Sequence, residues 1–171
     1  LTSSPDFIIR PLETPAEFES YFRMNAETFR PDEDTLLVAS RRHRLVVDDP
    51  DFRAISLRGA FLGRRHIGSY HIQERQLCLG PARLRTGCIG GVVTHPDYRH
   101  QGIATAMMQE ALMFAHNQRY DLLLLHGVAG FYQQFSFIDA LEDMPQHAVL
   151  RALIPHQAPQ GYTVRLATPY D

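Results

Sequence analysis

The 171-residue chain contains no tryptophan and only two cysteines, Cys78 and Cys88. Two thiols cannot staple a disulfide framework, so both are read as reduced packing residues of a cytoplasmic protein. No apolar run approaches the roughly 20 residues that a membrane span needs. The opening Leu1-Thr2-Ser3-Ser4-Pro5 lacks the basic-then-apolar layout of a secretory leader and carries no initiating Met, so a trimmed chain is expected. With 17 Lys+Arg against 19 Asp+Glu, the formal charge of −2 offers no basic stripe to nucleic acid or to an anionic membrane. Neither partner is expected, and no metal site is expected.

What is present is a hydrophobic fraction of 44% in a length that fits one well-packed domain but not two ordinary ones. Phe7 to Arg10 reads as a short strand. Thr14-Pro15 with Glu17 reads as a cap, a first-turn proline and a first-turn acid, opening a helix to Phe29 with Phe18, Tyr21, Phe22 and Phe29 on its apolar face. Pro31 to Asp34 is a charged turn that can start a short helix through Leu37. The basic run Arg41, Arg42, His43 and Arg44, with Asp48, Asp49 and Asp51 after it, reads as a solvated loop with local ion pairs.

Phe52 to Phe61 alternates as a strand does, turns at Leu62 to Arg65, and returns along Ile67 to Glu74. Arg75 to Arg85 reads as a second hairpin-like excursion turning at Gly80-Pro81. Gly87 to Val93 is a further strand, and its Gly90-Gly91 pair predicts close approach of another group. Pro96-Asp97 breaks that strand, and Ile103, Met107, Met108, Ala111, Leu112 and Ala115 then repeat at helical spacing. Asp121 to Leu125 is an unbroken apolar run, as in a strand covered on both faces. Phe131 to Phe135 reads as a short helix, Ser136 to Ile138 as the start of a strand, and His147 to Ile154 as a closing strand before a Pro/Gln/Gly linker. The order predicts an α/β (α+β) fold: a mixed, mostly antiparallel sheet with a central parallel strand–turn–helix–strand crossover from Ile89 to Leu125.

A strand that hands over to a helix aims unpaired N–H groups and the positive helix end at one point, which suits a phosphate. At that handover Arg99-His100-Gln101-Gly102-Ile103-Ala104 fits Arg/Gln-x-x-Gly-x-Gly/Ala. This resembles the acetyl-CoA pyrophosphate motif of the GCN5-related N-acetyltransferases (GNAT). Downstream, Gly130-Phe131-Tyr132-Gln133-Gln134-Phe135-Ser136-Phe137 looks like the family's Phe-Tyr-x-x-x-Gly-Phe segment, with Ser136 where glycine is usual. The resemblance covers about residues 7 to 154. Gly90-Gly91-Val92-Val93-Thr94-His95-Pro96 and Leu124-Leu125-His126-Gly127 look most like the "enhanced intracellular survival" branch.

The resemblance implies an N-acetyltransferase that uses acetyl-CoA as cosubstrate and takes a small-molecule or peptide amine as acceptor, by direct attack in a ternary complex. It puts Arg99, His100, Gln101, Gly102, Ile103, Ala104 and Thr105 at the pyrophosphate. Val92, Val93 and Thr94 lie along the pantetheine arm, between strands splayed at Val92–Thr94 and Leu123–Leu125, and Gly127 and Val128 flank it. The Val93 N–H is a candidate oxyanion donor, and Tyr132 matches the family's tyrosine that protonates the departing sulfur. Many members place a glutamate on the strand before the loop, but Cys88 to Val92 has no carboxylate. His71, Glu74, His126 or a water chain are the open candidates for the base, and in the resembling branch a chain terminus can serve. His95 reads as a turn residue. Without that carboxylate, a non-catalytic acyl-CoA-binding or dimerisation module of a larger protein is the alternative.

Residues 1–155 are thus expected to form the acetyltransferase domain. Tyr162 to Asp171 echoes the opening: Val164-Arg165 matches Ile9-Arg10, and Thr168-Pro169 matches Thr14-Pro15. Residues 156–171 are therefore expected to be a linker and the start of a second, truncated domain of the same kind. A homo-oligomer or a further domain in cis is the expected assembly.

Overall fold

The computed structural model describes residues 6–128, 130–140 and 161. Residues 1–137 form one compact unit. The expected strand His147 to Ile154 and the second-domain start lie, apart from Gly161, outside the described residues. No helix of the described residues is long and apolar enough to cross a membrane.

The chain enters through β1 (Ile8–Pro11) and reaches α1 (Pro15–Phe29) by a capping box. The Thr14 hydroxyl accepts from the Glu17 N–H, and the Glu17 carboxylate reaches back to the Thr14 N–H. Arg10 grips the same carboxylate at 2.6 and 3.1 Å, and this ion pair holds its pKa down to about 2. Asp34 then caps α2 (Thr35–Val47) through the Leu37 N–H at 2.7 Å.

The basic run 41–44 therefore lies on a helix and not in the expected loop. Its acids look elsewhere: Asp49 takes Gln73 at 2.6 Å and pairs with Arg75, which also reaches Asp51. Phe29 is exposed at the end of α1, while Tyr21 and Phe22 are buried.

A 3₁₀ turn over Ala54–Ser56 takes the place of the first residues of the expected second strand, so β2 runs Leu57–Leu62. β3 (Arg65–Leu79) and β4 (Ala82–Thr94) form one long antiparallel hairpin, in one register from Leu79 opposite Ala82 to His71 opposite Gly90 and shifted by one residue where Ser69 faces Val93 and Gly68 faces Thr94. The two excursions read from the sequence are this one ribbon. After β4 come a 3₁₀ turn at Pro96–Tyr98, α3 (Ile103–Asn117) and β5 (Leu122–Leu125), which lies parallel to β4. Sheet order is β1-β2-β3-β4-β5, antiparallel except for that last pair.

Side-chain alternation divides the core between the two faces of the sheet. Ala60, Tyr70 and Ile72 pack with Ile103, Met107, Met108 and Ala111 of α3. The neighbouring Phe61 joins Leu12, Tyr21, Phe22 and Leu57 on the α1 and α2 side. The α3 face also buries an ion pair of Arg58 with Glu110, which the Tyr70 hydroxyl joins.

The expected strand from Ser136 does not form within the described residues. Ser136 takes a left-handed φ of 68° after a 3₁₀ turn at Tyr132–Phe135, and residues 137–140 follow without regular structure. A positive φ is where glycine is cheapest, which accounts for a glycine being usual here.

Candidate active site

The β4–β5 ladder runs from Thr86 opposite Leu122 to Ile89 opposite Leu125 and stops there. β4 continues for five more residues, Gly90 to Thr94, with no strand beside it on that edge among the described residues. The opening is thus set by β5 being short. Leu123 faces Gly87 and not Val92, so the divergence starts nearer the middle of β4 than expected.

On its other edge β4 pairs Gly90 with His71 and Val93 with Ser69, leaving Gly91 and Val92 opposite Tyr70 alone. That is a β-bulge, with Gly91 at φ 59°. Val93 is buried in the ladder beside it, and Thr94 pairs with Gly68.

The turn out of β4 is fixed by local bonds. His95 accepts the Asp97 N–H at 3.3 Å and stacks edge-on with Tyr98, as a turn residue does. Arg99 Nε donates to the Thr94 carbonyl at 3.3 Å, and Gln101 donates to the Asp97 carbonyl. His100 and Gly102 both have positive φ, 61° and 77°.

Gly102 caps α3 with no side chain to satisfy the first turn. The N–H groups of His100, Gln101, Gly102, Ile103, Ala104 and Thr105 donate to no acceptor among the described residues. A Cβ added at Gly102 would meet nothing within 4 Å. The structure thus presents six consecutive donors around an exposed turn at the positive end of a 15-residue helix.

Tyr132 begins the 3₁₀ turn after β5, with its ring lying against the backbone of Gly127 where any Cβ would collide. Phe131 and Phe137 stack edge-on against it at 5.0 and 6.1 Å. The ring is half-buried, and burial pushes the phenol pKa up, so it carries its proton at neutral pH. Val128 is exposed. Tyr132 and Gly127 are thus in contact, and both follow β5.

Of the candidate bases, Glu74 is occupied. Arg85 holds it by two 2.7 Å bonds, Arg53 lies 3.6 Å away, and its pKa is lowered chiefly by the Arg85 hydrogen bond. It faces Gly87, inside the paired part of β4. His126 lies exposed just past β5.

His71 is different. It crosses β4 at Gly90, where a Cβ would come within 2.8 Å of its ring, and its Nδ1 is 2.5 Å from the Tyr21 hydroxyl of α1. A Cβ at Gly91 would run into that hydroxyl, the Asn25 amide and the same imidazole. The close approach anticipated at the glycine pair is this cluster. Tyr21 and Asn25, read from the sequence as a core aromatic and an unremarked helix residue, were legible only as far as the glycines that admit them.

His71 and His66 are both held neutral, with pKa values pushed down to about 4, first by burial. His66 stacks on Phe61 at 4.8 Å and meets Ser20 at 3.1 Å, and its enclosed Nε2 has no hydrogen-bond partner among the described residues. A histidine whose folded pKa lies below its unfolded value of about 6.5 adds stability that is present above pH 6.5 and lost as pH falls towards 4. Between pH 7 and pH 5, His66 and His71 are each expected to cost about 2 kcal/mol. Urea midpoints at the two pH values test this. A His66→Gln variant that shows the same acid loss as wild type would refute it.

Two grooves flank α1. One of about 570 Å³ runs between α1 and α2 past Phe18, Phe22, Leu36 and His43. The other, of about 620 Å³, is more polar and is lined by Arg10, Glu17, Arg64, Arg65, His66 and His95. Neither is lined by Tyr132 or His71.

Residues 9–138 match the family described as the acetyltransferase (GNAT) domain. A search of curated proteins finds no match. Among solved structures, the chain is similar to a transcriptional regulator from Bacillus halodurans C-125, with 22% identity and a TM-score of 0.66 over 83% of this chain and 99% of that one. It is also similar to glucosamine-6-phosphate N-acetyltransferase from Arabidopsis thaliana, at 13% identity and a TM-score of 0.61 over 82% and 97%. Eis1 from Mycobacterium abscessus matches at 20% identity and a TM-score of 0.61 over 75% of this chain but 30% of its own. At these identities the likeness is one of fold.

Proposed function

Because the chain belongs to the acetyltransferase (GNAT) domain family, we propose that it transfers the acetyl group of acetyl-CoA directly to an amine bound beside it. The observation that carries this reading is the run of six N–H groups from His100 to Thr105 that find no acceptor among the described residues, opening α3 at the end of a strand with one open edge. A pyrophosphate needs donors without bulk, and Gly102 and Ala104 leave those donors uncovered. The exposed Arg99 adds a positive charge to the same turn.

The arm of the cosubstrate carries amides, and the unpaired edge of Gly90 to Thr94 offers it backbone partners as an added strand would. On this reading Val92, Val93 and Thr94 line the arm, with Gly127 and Val128 across from them. The bulge at Gly91-Val92 turns backbone out of the ladder next to Val93, where the oxyanion of the attacked carbonyl would be received.

Tyr132 supplies the proton for the departing sulfur. Its raised pKa keeps that proton in place until a thiolate forms. Tyr132→Phe should lower the acetyl-transfer rate about 10²-fold and leave acetyl-CoA affinity within about twofold. Equal rates for the two proteins would remove the acid role.

Calorimetry with acetyl-CoA tests the reading as a whole. Saturable one-site binding is expected, and its absence in folded protein would end the proposal. Binding without turnover over a broad amine panel would favour the acyl-CoA-binding module instead.

A further inference from the structure

The polar groove of about 620 Å³ beside α1 shares no residue with the acetyl-transfer site proposed above. It lies between α1 and the β2–β3 turn, and His95 at the end of β4 completes its lining. Its volume is that of a small-molecule site.

Its charge is out of step with the chain. Arg10, Arg23, Arg64 and Arg65 line it against Glu17 and Glu27, an excess of two positive charges in a protein whose formal charge is −2. Glu17 is already taken: Arg10 grips it at 2.6 and 3.1 Å, and the Glu13 N–H donates to it at 2.7 Å. Glu27 lies 3.9 Å from Arg23, in an exposed pair that water screens. Asp97, which meets Arg65 at 3.2 Å, is 68% exposed and stands outside the lining. Arg64 has neither a hydrogen bond nor an ion pair among the described residues.

The turn accounts for two of these cations standing together. Leu62 pairs with Arg65, so the hairpin closes on two residues, and Gly63 takes the first place at φ 58°. A left-handed residue there fits the primed turns of tight hairpins. It leaves Arg64 at the tip and Arg65 at the first strand position, both exposed at the groove. The neighbouring Ser20 and His66 meet at 3.1 Å, and neither brings a negative charge.

A guanidinium presents its N–H groups as a fork that fits two oxygens of one phosphate. A phosphate monoester carries close to two negative charges at pH 7, which matches the excess in the groove. A carboxylate would leave one of the two charges uncompensated. We propose that this groove is a second anion site, in which Arg64 and Arg65 hold the terminal phosphate of a phosphate monoester.

Two sources share that chemistry. One is the ribose phosphate of the cosubstrate. Arg65 lies over the Tyr98 ring at 4.9 Å and bonds Asp97, both in the turn that leads into the donors of His100 to Thr105. The other is a separate phosphorylated molecule. The first source rests on the acetyl-transfer reading; the site itself does not.

The site is tested with inorganic phosphate on the whole chain carrying Gly102→Glu, whose added carboxylate keeps the probe out of the turn before α3. The Nε–H resonances of Arg64 and Arg65 should shift saturably with phosphate and not with chloride at equal ionic strength. Replacing both arginines with alanine should weaken phosphate binding at least about 10-fold. Resonances that respond to phosphate only as they do to chloride overturn the proposal, as does binding that survives the double substitution. Calorimetry on the otherwise wild-type chain then separates the sources. If the ribose phosphate is the ligand, acetyl-CoA should bind at least about 10-fold more tightly than its 3′-dephospho analogue, and the double variant should lose that preference. Equal affinities beside a saturable phosphate response assign the groove to a separate phosphate monoester. Failure to bind acetyl-CoA at all would remove the acetyl-transfer reading and leave the phosphate titration to decide the site.

Discussion

Replacing Gly102 with glutamate is expected to leave the fold standing and to weaken acetyl-CoA binding by at least about 10²-fold. The position is exposed, and a Cβ there meets nothing within 4 Å, so the new side chain has room. Its backbone cost is the left-handed φ of 77°, about 1–2 kcal/mol for a residue other than glycine. Binding would suffer far more. A carboxylate about 5 Å from a diphosphate costs about 3 kcal/mol per phosphate charge at an effective dielectric constant of about 20. It would also stand among the N–H groups of His100 to Thr105 that the diphosphate needs. Gly102→Ala separates the two effects, since it carries the same strain without the charge and should lose far less affinity. Calorimetry on both variants, with circular dichroism to confirm folding, checks this. Wild-type affinity in Gly102→Glu would place the diphosphate elsewhere.

The parts of this fold legible in the sequence are those governed by local chemistry. Thr14-Pro15 with Glu17 announces a capped helix start, and the structure closes it as a capping box. Met107, Met108 and Ala111 repeat at helical spacing and are buried on α3. The misread parts depend on partners far along the chain. Arg41 to Arg44 looked like a loop because the acids after them seemed to be their partners. Asp49 instead pairs with Arg75, 26 residues on, and this frees the basic run to extend α2. The β3–β4 ribbon was divided because Arg75 to Arg85 is polar. Cross-strand bonds between Glu74 and Arg85 hold it together, and no periodicity reports them.

The site divides along the same line. The loop from Arg99 to Thr105 is short, contiguous and glycine-marked, so its geometry follows from its own residues. The cluster at the glycine pair does not, because it is assembled across three elements: His71 on β3, Tyr21 and Asn25 on α1, and two glycines on β4. Sequence reading reached the glycines and reached His71 as one of several candidates. What distinguishes His71 from Glu74 is tertiary: one meets the Tyr21 hydroxyl of α1 and lies over Gly90, while the other is clamped by Arg85.

Gly91→Val provides the counterpart to Gly102→Glu, because the two glycines share a left-handed φ and differ in what surrounds them. At Gly91 a Cβ would run into the Tyr21 hydroxyl, Asn25 Oδ1 and the His71 ring, so α1 would have to lift from β4 or the bulge would have to flatten. Tyr21 and Asn25 are each 1% exposed and have no open space to retreat into. A β-branched residue at φ 59° adds backbone strain of about 1–3 kcal/mol. Overpacking a tight site adds about as much again. The sum, about 4 kcal/mol, is a large share of the 5–15 kcal/mol typical of a folded domain. At about 2–4 °C per kcal/mol for a chain of this length, the thermal midpoint should fall by about 10–15 °C. Thermal melts of Gly91→Val and Gly91→Ala, with Gly102→Ala as the strain-only control, measure it. If Gly91→Val melted with the control, the packing of Tyr21, Asn25 and His71 against the bulge would be wrong.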